Sequence, residues 1–198
     1  MTVLARPLPR SWARVISSIT SPVNVAAALL VIVALHSSHG VVGLVWGAIA
    51  ALFAAAIPLA FILRGVRRGD WTDRHVRDRQ KRRGPLLFGL LSVVVGLVVL
   101  SAWSAPRELV ALVAAMLVGL AVTLAVTHWW KISIHTAVFS GAVVILVLVF
   151  GPYLFLTWPL AGLVAWSRIS VDDHTPAQVA GGAVLGGVIA AVVFTVLR

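Results

Sequence analysis

Long apolar blocks alternate with short polar breaks along this chain. The blocks cover roughly 22–37, 41–63, 86–104, 107–127, 137–151, 153–167 and 177–197. Runs of this kind predict helices in a bilayer, where about 20 apolar residues make one crossing. The fifth and sixth blocks are short, because Gly151, Pro152 and Tyr153 split one run into two pieces. They predict a tight hairpin or one bent, partly re-entrant unit, so the expected count is six or seven. The fold class is all-α, a polytopic membrane helix bundle. No polar stretch is long enough to build a separate soluble domain. The expected organisation is a basic tail over 1–21 and a single transmembrane domain over 22–198, with a basic loop at 64–85.

The polar breaks have a side. With seven crossings, the N-terminus, loop 64–85, "HWWKISIH" and "SRISVDDH" all fall on one face. That face holds every Lys and Arg of the 16 except Arg107 and Arg198. The positive-inside rule makes it cytoplasmic, in a multi-pass protein of the cell membrane. The parity fails if 137–167 does not cross and return.

Composition supports the membrane reading. Hydrophobic residues make up 61% of the chain and mean hydropathy is +1.04, against about 45–50% apolar residues in soluble domains. The net charge of +10 does not point to nucleic acid, because it is concentrated in loops that flank membrane segments and attract anionic lipid. There is no Cys, which excludes disulfides, thiolate metal sites and Cys nucleophiles. The N-terminal "MTVLARPLPRSWARVISS" is basic with no small-residue cleavage site after it, and is expected to be a cytoplasmic or interfacial tail. Gly182 and Gly186 are four apart, a spacing that lets helices approach closely.

Three polar clusters carry the candidate chemistry. The first, "RGVRRGDWTDRHVRDRQKRRGP", reads as a solvated helix with i,i+4 pairs Asp70–Arg74, Asp73–Arg77 and Asp78–Arg82, or as a phosphate clamp, since the guanidinium fork suits phosphate. The second, "KISIHTAVFSG", places Lys131, Ser133 and His135 at the head of an apolar run. The third, "WSRISVDDHTPAQVAGG", holds Arg168 and His174 ahead of the last block. There Thr175, Pro176 and Gln178 read as an N-cap, a first-turn proline and a capping-box partner. Two histidines among cations suit phosphoryl transfer: one attacks phosphorus, the other protonates the leaving oxygen, and the cations neutralise the equatorial oxygens. Acidic residues near the histidines are limited to Asp172 and Asp173, which argues against a metal site.

These clusters resemble the type 2 phosphatidic acid phosphatase (PAP2) superfamily, whose signature is K-x6-RP, PSGH and SR-x5-H-x3-D. Ser167, Arg168 and His174 fit the third part. "ISIH" stands where PSGH would, matching at Ser133 and His135. No Lys-x6-Arg-Pro occurs; Arg74, Lys81, Arg82 and Arg83 are its nearest counterparts. The resemblance implies a metal-independent lipid phosphatase with no cofactor, acting on a prenyl or phosphatidyl phosphate or diphosphate among membrane lipids. His174 would be the nucleophile that forms a phosphohistidine, and His135 the general acid. Arg168, with the backbone and hydroxyl of Ser133, would hold phosphate oxygens, and Lys131 with the 74–83 basics would complete the pocket. Gln178 stands where the family's orienting Asp would. Its amide can accept the same hydrogen bond without adding charge, but a flipped amide would select the wrong tautomer. Two other readings are a non-catalytic relative that binds lipid or scaffolds a partner, and a UbiA-type prenyltransferase using Asp70 and Asp73 to hold Mg²⁺.

Overall fold

A computed structural model describes residues 10–71, 81 and 83–198. Arg74 and Arg82 lie outside the described residues, as do Asp73, Arg77 and Asp78, so the expected i,i+4 pairs and the D-x-x-D fall outside too. The described chain is helical throughout and contains no strand. The helices are α1 (Arg10–Ile19), α2 (Pro22–Ser37), α3 (Gly40–Ala51), α4 (Ile57–Arg68), α5 (Arg83–Ala102), α6 (Arg107–Trp129), α7 (Ile134–Phe150), α8 (Trp158–Ser170) and α9 (Pro176–Leu197). A π turn over Leu52–Ala56 joins α3 to α4, and a 3₁₀ turn over Pro152–Thr157 leads into α8.

Local chemistry sets several of these boundaries. Ser21 caps α2 by accepting from Asn24 N at 3.4 Å, and Pro22 opens the first turn. Thr175 caps α9 in a full capping box with Gln178, and Pro176 follows, as the sequence predicts. Gly69, at φ +80°, ends α4 in the left-handed region where Gly carries no steric cost. The π turn displaces one helical carbonyl from its ladder, and Ser92 Oγ donates to Phe53 O at 2.6 Å.

The residues expected as a basic tail include a helix. α1 turns Ala13 and Ser17 inward and packs against α8. Among the described residues, four helical stretches are long and apolar enough to cross a membrane: Gly40–Arg68, Arg83–Ala102, Arg107–Trp129 and Pro176–Leu197. A fifth is reached if α1 and α2, bent by 41°, count as one. α7 has 17 residues and α8 has 13, shorter than the ~20 of a full crossing. The all-α bundle stands, while six or seven full-length spans are not all present as long helices.

The elements still run in the expected directions. At one end, Lys131 Nζ donates to Asp173 O at 2.7 Å, joining the start of α7 to the end of α8. At the other, Ser37 Oγ donates to Glu108 Oε2 at 2.8 Å, Arg107 Nε to Leu197 O at 3.0 Å, and Arg198 to Leu148 O at 2.6 Å. The 134–170 segment therefore goes out and returns. The second and third polar clusters share one end, while Arg107 and Arg198 occupy the other.

Leu30, Val33, Leu100, Leu109, Ile145 and Phe194 form the centre of the bundle. The outside is apolar as well: Leu87, Leu91 and Val98 of α5, and Val184, Val188 and Val192 of α9, are exposed. Such stripes at helical spacing suit hydrocarbon. α7 and α9 make the closest approach. A Cβ on Gly182 would lie 2.4 Å from Ser133 O, and one on Gly186 1.9 Å from Ala137 O. Thr136 Oγ1 and Ser140 Oγ cross this seam, donating to Val179 O at 3.0 Å and Ala183 O at 2.7 Å. The small-residue spacing thus serves helix packing.

Candidate functional site

A cavity of about 220 Å³ opens at the end where the polar clusters meet. Its polar wall is Lys131, His135, Arg168, Asp173 and His174, with Ser21 and Asn24 from the start of α2. Its apolar wall comes from α4, α5 and α6. Residues from the second and third clusters, 33 or more positions apart in the chain, are thereby brought to one space.

His174 sits in the short loop between α8 and α9, 7% exposed. Its Nδ1 lies 3.2 Å from Gln178 Oε1. The same oxygen accepts from the Thr175 backbone N–H, also at 3.2 Å. A backbone N–H can only donate, so the capping box fixes the amide with its oxygen toward His174. Nδ1 must then carry the proton, and Nε2 of the neutral ring holds the lone pair. The capping-box oxygen thus also lies within hydrogen-bond reach of His174.

His135 lies in the first turn of α7, one residue inside the helix, and is 5% exposed. Ser133 precedes it, fully buried. Its backbone N–H, expected to face phosphate, is donated to Gln178 O at 3.2 Å. That bond ties the start of α7 to the first turn of α9. Ser133 Oγ is buried without a hydrogen-bond partner among the described residues.

Arg168, near the end of α8, is 3% exposed. It donates from one terminal nitrogen to Asp173 Oδ2 and from the other to Ser17 Oγ of α1. Asp172 takes a left-handed φ of +57°, and this turn directs Asp173 back toward Arg168. Asp172 itself makes only an exposed ion pair with Arg10 at 3.1 Å. Ser17 and Asp173 were not legible as site residues. The available signals were Ala13 and Ser17 four apart in a helical stretch, and an acid five positions after Arg168.

The basic-loop candidates are brought in less fully. Lys81 is exposed, and Arg83 begins α5, where it meets His128 Nδ1 at the end of α6. Neither lines the cavity. Among the described residues no group of His, Asp or Glu is arranged to hold a metal ion.

The model of the PAP2 superfamily matches residues 131–198. This segment of the chain is similar to the PAP2 superfamily. It includes α7, α8 and α9, and with them both histidines, Lys131, Arg168 and Gln178. The superfamily is generally one of phosphatases. No curated protein and no solved structure matches the chain. Ser17, Ser21 and the apolar wall from α4 to α6 stand outside the PAP2 match.

Proposed function

We propose that this chain is a membrane lipid phosphatase working through a phosphohistidine. His174 Nε2 attacks phosphorus, and the P–O bond to the lipid breaks. His135 gives its proton to the leaving alkoxide. His135, now neutral, takes a proton from water, which attacks the phosphorus of the P–N adduct. Phosphate leaves and His174 is restored. Arg168 and Lys131 hold the phosphoryl oxygens, with Ser133 Oγ as a further donor. Arg74, Lys81, Arg82 and Arg83 attract the anionic headgroup toward the mouth. A prenyl or phosphatidyl phosphate or diphosphate fits this chemistry, at a site facing the cytoplasm.

The observation that carries this reading is His174, with Nδ1 3.2 Å from the Gln178 oxygen, in a cavity shared with His135, Lys131 and Arg168. Its test is phosphate release from a panel of lipid phosphates by purified protein in detergent, with and without EDTA. Release that survives EDTA is expected. No release from any member, or release abolished by EDTA and restored by a divalent cation, contradicts the proposal.

A further inference from the structure

A second cavity, of about 210 Å³, continues from the first into the bundle. Pro22, Val23, Ala54, Val93, Leu120 and Ile134 line both. Beyond this shared wall the lining is almost wholly apolar and runs between α2, α6, α7 and α9, through Leu29, Met116, Gly141, Ile145 and Ile189. From Ile134 to Ile145 on α7 the depth is about 16 Å at 1.5 Å per residue, roughly half of a ~30 Å hydrocarbon core. Backbone features keep this space open. Ala54 lies in the π turn at the junction, a distortion often found at functional sites. A Cβ on Gly119 of α6 would meet nothing within 4 Å.

We infer that this cavity receives the hydrocarbon chain of the substrate, and that it takes a single chain. The inference rests on the reading of the polar cavity as a lipid phosphate site. A phosphate held by Arg168 and Lys131 places its ester oxygen at the mouth of the apolar lumen. An apolar space of about 150 Å³ holds one benzene, so the volume here suits part of one chain. A diacyl lipid brings two chains to the same mouth, and the second has to stay outside. Hydrocarbon has no hydrophobic driving force for leaving lipid, so the lumen selects by shape, through the packing contacts that each added methylene makes with its wall. The substrate class is therefore a single-chain alkyl or prenyl phosphate.

Gly119→Phe is the variant that tests this. It fills the lumen without a backbone clash and replaces a helix-interior Gly. Gly162→Phe, on the exposed face of α8 with nothing within 4 Å, is the control for added bulk. In nanodiscs, binding of a series of single-chain alkyl phosphonates is measured by calorimetry, and turnover is followed with a long single-chain phosphate, a diacylglycerol phosphate and a short aryl phosphate. Wild type is expected to bind more tightly up to the length that fills the lumen and to prefer the single-chain lipid. Gly119→Phe should lose about tenfold or more on the long chain, the scale of methylene discrimination in a fitted pocket, with the aryl phosphate nearly unchanged and Gly162→Phe like wild type. Binding independent of chain length, equal turnover of one- and two-chain lipids, or a Gly119→Phe protein that handles the long chain normally overturns the inference. Chain-length-dependent binding with no turnover of any substrate supports the inference and overturns the phosphatase reading instead.

Discussion

At the residue scale, the shared oxygen of Gln178 governs what substitutions should do. Gln178→Ala removes the capping-box partner and the acceptor for His174 together. It should cost about 1 kcal/mol of stability and also lower kcat sharply, since loss of a comparable orienting carboxylate in serine proteases costs about 10⁴. Gln178→Glu keeps a side chain of the same length with an oxygen for both donors and adds charge beside the developing cation, so activity should hold or rise. Thermal unfolding and kcat measured on both variants decide this; a kinetically silent Gln178→Ala would mean that another group orients His174. His135→Ala should lower kcat by on the order of 10²–10⁴, less for an aryl phosphate with its better leaving group. An equal loss on both substrates speaks against the acid role. Asp173→Ala removes the carboxylate paired with buried Arg168 and should destabilise by about 3 kcal/mol, read as a fall in the thermal midpoint. The histidines, Arg168 and Lys131 were legible because polar groups at the heads of apolar runs are conspicuous. Asp173 was not, because its role depends on a left-handed turn at Asp172 that spacing does not reveal.

At the scale of elements, the α7–α9 seam holds the two histidines in register, with His135 near the start of one helix and His174 just before the other. Gly186→Ala places a methyl against Ala137 O and should destabilise by about 1–3 kcal/mol through overpacking. Activity on lipid should fall with it as the two helix starts separate. Gly187→Ala, whose Cβ meets only Val144 Cγ2 at 3.8 Å, should be tolerated. If both variants behave alike in thermal unfolding and turnover, the seam does not control the site. The start of α9 was readable to the residue, because Thr175–Pro176 is an explicit helix opening. The π turn was not, because Leu52–Ala56 has ordinary helix composition and the Ser92 hydroxyl that donates to Phe53 O comes from α5. Nor was the docking of α1 readable, since amphipathic helices on a membrane and on a protein share a pattern.

At the scale of the molecule, one end gathers Lys131, Arg168, the cavity mouth and the N-terminal helix, and the proposed orientation, drawn from the charge bias, puts that end in the cytoplasm. The absence of native Cys makes this testable by labelling. A membrane-impermeant thiol reagent should reach Tyr153→Cys from outside intact cells and Asp70→Cys only after the cytoplasmic face is opened; the opposite pattern reverses the orientation. Direction of travel was legible from parity and charge, whereas the internal lumen was not, because it arises from how four helices splay rather than from any one of them. The central claim is that His174 attacks phosphorus. Its most direct measurement is rapid acid-free quenching during turnover of a lipid phosphate, followed by mass analysis of the protein. The account predicts one phosphoryl group on His174, labile to acid, present in wild type and absent in His174→Ala, which should also be inactive. Turnover by His174→Ala at more than a few percent of wild type, or phosphorylation at another residue, would contradict it.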